Sequence, residues 1–145
     1  MKKIINRPEN VVSEFLEGFA LAYPQLTYHA DAQVVTRSMK CPGKVGIVSA
    51  GHEPAHVGYV GFGMLDAAVA GNVFSAPGPD RILRGIEAAN YGAGVLLVVK
   101  NYSGDIMNFE MAQELATMRD IPVERVIVKD DIAVPDSTYS SGRRG

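Results

Sequence analysis

A chain of 145 residues has the length of a single domain and can bury a hydrophobic core without disulfide bonds. Hydrophobic residues make up 47% and charged residues 21% of the sequence, which is typical of a soluble globular protein. The net charge of −2 gives no sign of the clustered Lys and Arg that bind nucleic acid or anionic membranes, so we expect neither partner.

The N-terminal sequence MKKIINRPEN lacks the apolar stretch of a signal peptide, because polar residues and a proline soon follow its two lysines. No apolar run approaches the roughly 20 residues that a membrane-spanning helix needs. These two features predict a cytoplasmic protein. The next segment, NVVSEFLEGFALA, predicts a helix with Asn10 as its N-cap. Its apolar face is predicted to contain Val11, Phe15, Phe19 and Ala22.

A short strand is predicted over Gly43–Ala50, between Pro42 and Gly51. Cys41, just before it, is the single cysteine and is interpreted as an inert thiol. The sequence GYVGFGMLDAAVAG, rich in small residues, favours a closely packed helix and turn. The following PGPDRILRGIEAAN predicts a helix capped by Asp80, with Ile82, Leu83 and Ile86 at helical spacing.

The clearest strand is GVLLVVKN, in which five successive apolar residues suggest burial on both faces. The segment SGDIMNFEMAQELATMRD predicts a loop and a helix, with a core stripe of Met107, Met111, Leu115 and Met118. VERVIVKDD predicts a last strand. This alternation predicts an α/β fold with a mixed, mainly parallel sheet flanked by helices.

Polar residues follow three of the predicted strands. His52 follows the first, Lys100 and Asp105 follow GVLLVV, and Asp130–Asp131 follow the last. The carboxyl ends of parallel strands form the binding crevice of such sheets, so we expect these residues at one edge.

Two readings of HEPAH remain open. The sequence satisfies the H-E-x-x-H zinc pattern through His52, Glu53 and His56, but no third ligand is apparent and the motif follows a strand, so we predict no metal. His52 is the better catalytic candidate, since it follows the flexible Gly51 and imidazole titrates near neutrality. A structural role for His56 is as plausible as a functional one.

Two readings of KNYSGD also remain open. Lys100 can orient an oxygen-bearing substrate and Asp105 can act as a base. Alternatively, Lys100 extends to solvent and Asp105 caps the next helix. No G-x-x-x-x-G-K-[ST] sequence occurs, so no ATP site is predicted in this chain.

Several segments together resemble one protein family, the dihydroxyacetone-binding (DhaK) subunits of dihydroxyacetone kinase. They are MKKIIN, VVTR, GHEPAHVGYVGFGML, VFSAPGPDRI, GVLLVVKNYSGDIMNFEMA and YSSGRRG, in order along nearly the whole chain. The resemblance implies the N-terminal domain fold of DhaK and a kinase subunit that binds dihydroxyacetone for phosphorylation. It implies no cofactor bound directly. The phosphoryl group is implied to come in trans from an ADP-bearing DhaL-type subunit, recharged by the phosphotransferase system, or from a separate ATP-binding domain.

The resemblance also assigns roles to individual residues. Gly51, His52, Lys100 and Asp105 match substrate-contacting positions of the family. His52 is implied to hydrogen-bond the substrate and assist proton transfer, and Asp105 to act as the base toward the phosphorylated hydroxyl. Glu53 and His56 match motif positions with supporting roles. The subunit is implied to be a homodimer, for which Ile5, Val11 and VIVKDDIAVP are candidate contacts.

The sequence departs from the family pattern in two places. SAGH stands where the family has a longer run of the form G-G-G-S-G-H, which removes backbone N–H groups around a small polyol. Family members also continue beyond GRRG into a second domain, whose histidine bonds covalently to the substrate carbonyl. Residues 1–145 are therefore predicted to be a partial N-terminal domain without the second domain. The alternative function is a non-catalytic coactivator paralogue that binds the ligand.

Overall fold

The structure is a computed structural model that describes residues 2–52, 56–129 and 144. Its six strands are β1 (Leu26–His29), β2 (Val34–Arg37), β3 (Gly46–Gly51), β4 (Ala67–Ala70), β5 (Val95–Lys100) and β6 (Val123–Val128). Its α-helices are α1 (Val11–Ala22), α2 (Pro79–Ala89) and α3 (Ser103–Thr117). Short 3-10 turns lie at Pro8–Asn10 and Val57–Tyr59. Within these described residues, no helix is long and apolar enough to cross a membrane.

The strands form one sheet in the order β1-β2-β4-β3-β5-β6. Strands β4, β3, β5 and β6 are parallel to one another, whereas β1 and β2 form an antiparallel hairpin at the side of β4. The predicted mixed, mainly parallel sheet with flanking helices is confirmed. The hairpin was not predicted, because its four-residue strands carry little periodicity.

Helices α2 and α3 cover one face of the sheet. Ile82, Leu83 and Ile86 of α2 are buried in this core, as their helical spacing predicts. Gly85 lets α2 approach the sheet closely, since a Cβ there would lie 2.5 Å from Val69 Cγ2. The cap prediction for Asp80 is wrong: α2 begins at Pro79, with Gly78 at the N-cap position.

The helix stripe predicted for α3 is also wrong. Met107, Met111, Leu115 and Met118 are exposed, with 60%, 47%, 36% and 79% of their surface accessible. The buried face carries Phe109, Ala112 and Ala116 instead. Small alanines bring the helix axis close to the sheet, and the longer side chains are left outside. Close packing against the sheet, and not hydrophobicity alone, therefore decides which face of α3 is buried.

Helix α1 covers the opposite face of the sheet over the hairpin and β4. Val12 and Leu16 are its buried residues, while Phe15 is 44% exposed. The predicted face through Val11 and Phe15 is therefore shifted by one position. Asn10 precedes the helix, but its side chain makes no capping hydrogen bond.

The glycine-rich segment before Ala67 corrects another prediction. Where a helix and turn were expected, residues Ala67–Ala70 form β4, completely buried between β2 and β3. Alanine and valine fit there because both sheet faces are covered at this point. Burial in β5 alternates, with Val95, Leu97 and Val99 buried and the residues between them partly buried, so the expected full burial on both faces is not observed.

A buried ion pair closes the amino-terminal edge of the parallel strands. Asp66 is completely buried, and its Oδ1 accepts a hydrogen bond from Nη1 of Arg37 at 2.9 Å. Its Oδ2 accepts from the backbone N–H of Ile47 at 2.9 Å and from Nζ of the partly exposed Lys44. One carboxylate thus joins the end of β2 and the start of β3. Nη2 of Arg37 also lies 3.4 Å from Sγ of Cys41, which is half-buried.

Candidate functional site

The site lies where the direction of the chain connections changes. From β3 the chain runs to β4 on one side, and from β5 it runs through α3 to β6 on the other. Neighbouring parallel strands whose connections diverge leave a crevice at their carboxyl ends, and ligands bind there. His52 follows β3, Lys100 ends β5, and Asp105 lies in the first turn of α3.

The structure brings these three predicted side chains together. Nζ of Lys100 lies 3.3 Å from Nδ1 of His52 with hydrogen-bond geometry. Oδ2 of Asp105 lies 3.5 Å from the same nitrogen, which is too far for a good hydrogen bond. The three residues therefore form one cluster around Nδ1 of His52. The expectation that Asp130–Asp131 join it concerns residues outside the described part of the chain.

Asp105 is an unusual carboxylate. Its side chain is completely buried, and neither oxygen accepts a hydrogen bond from the residues that the structure describes. Burial raises the pKa of this carboxyl, while the positive charge of Lys100 and the contact with His52 oppose the rise. A buried carboxylate with free acceptor positions is a suitable general base, because a raised pKa strengthens its affinity for a proton.

Gly51 and His56 lie on the other side of Lys100. Ring atom Cδ2 of His56 would be 3.1 Å from a Cβ added at Gly51, so the imidazole packs beside the glycine backbone. Burial lowers the pKa of His56, and the positive charge of Lys100 lowers it further. His56 therefore favours its neutral form. The N–H of Gly71 donates to the carbonyl oxygen of Gly51 at 2.9 Å, which fixes the end of β3 against the end of β4.

Tyr102 is a residue of the site that the sequence interpretation missed. Its ring meets the His52 imidazole edge-on with centroids 4.8 Å apart, and Nζ of Lys100 lies 5.5 Å from its centroid. The guanidinium of Arg144 lies 4.8 Å from the same centroid. The only signal in the sequence was its position between Lys100 and Asp105 in KNYSGD. Cations within about 6 Å of an aromatic ring are attracted by its π-electrons.

A cavity of about 400 Å³ adjoins Lys100 on the sheet face that the helices α2 and α3 leave free. Its walls are mostly apolar. They include Ser49, His56, Tyr59, Met64 and Val98. The Oγ of Ser49 already donates to the carbonyl oxygen of Val98 at 2.9 Å. Lys100 thus has the His52–Asp105 cluster on one side and this cavity on the other.

No group of three or more His, Cys, Asp or Glu side chains suited to a metal ion occurs in residues 2–52, 56–129 and 144. Of the H-E-x-x-H match, the structure describes both histidines, whereas Glu53 lies outside the described residues. His52 engages Lys100 and Asp105, and His56 faces Gly51 and the cavity. The two imidazoles therefore have different surroundings.

Fold and site together define an α/β domain with a small-molecule crevice at its strand ends. The Dak1 domain family matches residues 17–145, and the chain belongs to this family. It is 56% identical to the dihydroxyacetone-binding subunit DhaK of PTS-dependent dihydroxyacetone kinase 1 from Listeria innocua, over 100% of this chain and 45% of the relative. It is 48% identical to the corresponding subunit of the PEP-dependent kinase of Escherichia coli, over 100% of this chain and 42% of that one. The resemblance inferred from the motifs is confirmed.

Solved structures agree with this membership. The dihydroxyacetone kinase of C. freundii, in complex with AMP-PNP and Mg²⁺, matches with a TM-score of 0.83 and 41% identity, over 94% of this chain and 27% of that one. The operon co-activator DhaQ matches with a TM-score of 0.80 and 40% identity, over 91% and 42%. The chain spans less than half the length of the curated DhaK subunits it matches.

Proposed function

We propose that this chain is the substrate-binding part of a dihydroxyacetone kinase subunit, in which dihydroxyacetone is held for phosphorylation. The observation that carries the proposal is the cluster of His52, Lys100 and Asp105 at the strand ends of a Dak1-family domain. The names of the related DhaK subunits give the substrate and the reaction class.

Each of the three side chains has a role in this proposal. The ammonium of Lys100 orients a substrate oxygen. The imidazole of His52, which is 23% exposed, hydrogen-bonds the substrate. Asp105 removes the proton from the hydroxyl group as that oxygen attacks phosphorus, and its burial suits a base that must hold this proton. Gly51 contributes backbone close to the substrate, without a side chain in the way.

The phosphoryl group comes from a partner in our proposal. A DhaL-type subunit carries it on ADP and is recharged by the phosphotransferase system, in keeping with the PTS-dependent names of the relatives. We further propose that the active assembly is a homodimer and that residues outside this chain complete the substrate site. A chain that forms one part of a DhaK subunit is consistent with the 45% coverage of the Listeria relative.

The test is a reconstituted assay. The subunit that contains this chain is mixed with a DhaL-type subunit, the phosphotransferase components, phosphoenolpyruvate and dihydroxyacetone, and dihydroxyacetone phosphate is measured. We expect Asp105→Ala to reduce kcat by about 10²- to 10⁴-fold, the usual contribution of a general base. His52→Ala should also reduce turnover, because it removes a hydrogen bond to the substrate. The control is His29→Ala, because His29 lies on β1 and bonds only Thr36 among its described side-chain partners. Unchanged turnover in both site variants would refute the assigned roles.

A coactivator function is the second candidate. The chain is 38% identical to the coactivator DhaQ of Lactococcus lactis, over 99% of this chain and 44% of that protein. The assay separates the two functions. Ligand-dependent binding of a protein partner without formation of dihydroxyacetone phosphate supports the coactivator, whereas product formation supports the kinase subunit.

A further inference from the structure

The Lys100 ammonium is held from three sides. It lies 3.3 Å from Nδ1 of His52 and 5.5 Å from the centroid of the Tyr102 ring. On the third side is the backbone of Gly51. Since Lys100 is the last residue of β5, its long side chain would otherwise extend into the open crevice.

Gly51 leaves the space that the ammonium occupies. A Cβ added at Gly51 would lie 2.7 Å from Cε of Lys100 and would overlap Nζ. Real Cβ atoms do not approach other heavy atoms this closely, so any side chain at position 51 displaces the lysine. Gly51 is itself buried, and its carbonyl oxygen is tied to the N–H of Gly71. The backbone cannot move aside without breaking that strand contact.

Tyr102 restrains both partners of the lysine–histidine contact. Its ring lies edge-on to His52 and close to the ammonium of Lys100. The loop that carries Tyr102 also contacts Arg144, because the Asn101 N–H donates to the carbonyl oxygen of Arg144 at 3.1 Å. The Arg144 guanidinium donates back to the carbonyl oxygen of Asn101 at 3.3 Å and packs on the Tyr102 ring.

We propose that Gly51 and Tyr102 are positioning residues that hold the Lys100 ammonium against Nδ1 of His52, which fixes the neutral imidazole with its proton on Nε2. An ammonium group has three donors and no acceptor, so Nδ1 must accept in this contact. Asp105 lies 3.5 Å from the same nitrogen and stays without a hydrogen-bond donor among the described residues. This inference deepens the proposed function and rests on it for its chemical meaning.

The tautomer of His52 gives His52 and Asp105 different roles in the site. With the proton on Nε2, His52 presents a hydrogen-bond donor to the oxygen atoms of a carbonyl compound. Asp105, with both oxygens free of donors in the described structure, is then the group that accepts the hydroxyl proton. His52 orients and polarises the substrate, and the proton passes from the substrate hydroxyl to Asp105 without entering the imidazole.

Long-range ¹H–¹⁵N correlation spectra of the 145-residue chain test the proposal directly. The chain contains three histidines, so each imidazole can be assigned with a His→Gln variant. At a pH where the imidazoles are neutral, we expect His52 to show an unprotonated Nδ1 and a protonated Nε2. Lys100→Met, Gly51→Ala and Tyr102→Leu should each shift the two ¹⁵N signals of His52 toward a tautomer average. Tyr102→Phe, which keeps the ring, should retain the wild-type pattern.

Tyr23→Leu is the matched control, since Tyr23 packs on Phe19 at the end of α1 and makes no ring contact with His52. A wild-type His52 that carries its proton on Nδ1 would overturn the proposal. A fixed tautomer in both Lys100→Met and Tyr102→Leu would also overturn it. These two variants decide the test if Gly51→Ala does not fold. No substrate or donor subunit enters the experiment. A failure of dihydroxyacetone phosphorylation therefore leaves this result unaffected, and the two hypotheses fail independently.

Discussion

Asp105 and His52 meet across the boundary between the protein interior and the crevice. Oδ2 of Asp105 lies 3.5 Å from Nδ1 of His52, with the Asp105 side chain completely buried and that of His52 23% exposed. The carboxylate is shielded from water, whereas the neighbouring imidazole is partly exposed. A substrate that contacts His52 therefore comes close to the least solvated carboxylate of the site.

The burial of Asp105 should be visible in the pH dependence of stability. Because its pKa in the folded chain is raised above the ordinary 3.8, the folded state keeps this proton at a pH where the unfolded state has lost it. The free energy of unfolding should then fall as pH rises from about 4 through the folded pKa. Asp105→Asn should remove this fall, because an amide does not titrate, and should raise the free energy of unfolding at pH 7 by removing the buried charge.

Urea unfolding at a series of pH values measures this effect as the difference between wild type and variant. Glu124→Gln, at an exposed position on β6, controls for the loss of a carboxylate and should follow the wild type. A difference between wild type and Asp105→Asn that does not change with pH would contradict the prediction.

Lys100 should control the titration of His56. Burial and the charge of Lys100 both lower the pKa of His56, with burial the larger cause. Lys100→Met should therefore raise the pKa of His56 part of the way back toward 6.5. The NMR titration of the imidazole C–H signals measures the shift, and Lys40→Met, at an exposed position before β3, is the control. A lower or unchanged His56 pKa in Lys100→Met would show that the lysine charge does not reach this ring.

The Asp66–Arg37 pair should contribute strongly to stability. Asp66→Ala leaves the guanidinium of Arg37, only 6% exposed, without its carboxylate. Breaking one partner of a buried ion pair costs about 3–5 kcal/mol. Asp31→Ala removes a carboxylate from an exposed pair with Arg84, and about 1 kcal/mol or less is expected there. Denaturant unfolding compares the two, and equal losses would contradict the burial argument.

The two faces of α3 should respond differently to substitution. Phe109 is completely buried, so Phe109→Ala should reduce the free energy of unfolding by about 3–5 kcal/mol. Met111→Gln, on the exposed face, should change it by about 0.5 kcal/mol or less in the monomer. A large loss of stability for Met111→Gln in urea unfolding would show that the exposed face of α3 packs against other protein groups.

The proposed self-association has its own test. Ile5 is 43% exposed and Val126 of β6 is 46% exposed, so apolar surface is accessible near both ends of the described chain. A contiguous apolar patch at either position would favour contact with a second copy. Sedimentation at micromolar concentration should show a species heavier than the 15.6 kDa chain. A species of monomer mass, unchanged by dilution or by dihydroxyacetone, would refute the dimer.

The elements that the sequence predicted well are those with a long or strongly periodic apolar pattern. Strand β5 and helix α2 belong to this group. Strand β4 was missed because Ala67–Ala70 has little intrinsic strand preference and is held by pairing on both sides, which no local pattern reveals. In α3 two apolar stripes compete. The packing distance to the sheet selects the alanines, and that distance is a property of the whole fold.

The sequence predicted which residues form the candidate site, but not how their side chains contact one another. The order of strands and motifs placed His52, Lys100 and Asp105 at one edge, because parallel strands share the direction of their carboxyl ends. The contact of Lys100 with His52 could not be predicted, since it depends on the space above Gly51 and on the ring of Tyr102. These are distances between segments that lie far apart in the sequence.

The carboxylate of Asp66 has a consequence for how this domain tolerates change. It fastens β2 and β3 at the amino-terminal edge of the sheet, whereas His52, Lys100 and Asp105 occupy the opposite edge. A fold anchored at one end leaves the other end free to accumulate substitutions without losing its framework. Descendants of one ancestral domain can therefore diverge in what their strand ends recognise, and a kinase subunit and an operon coactivator can inherit the same sheet.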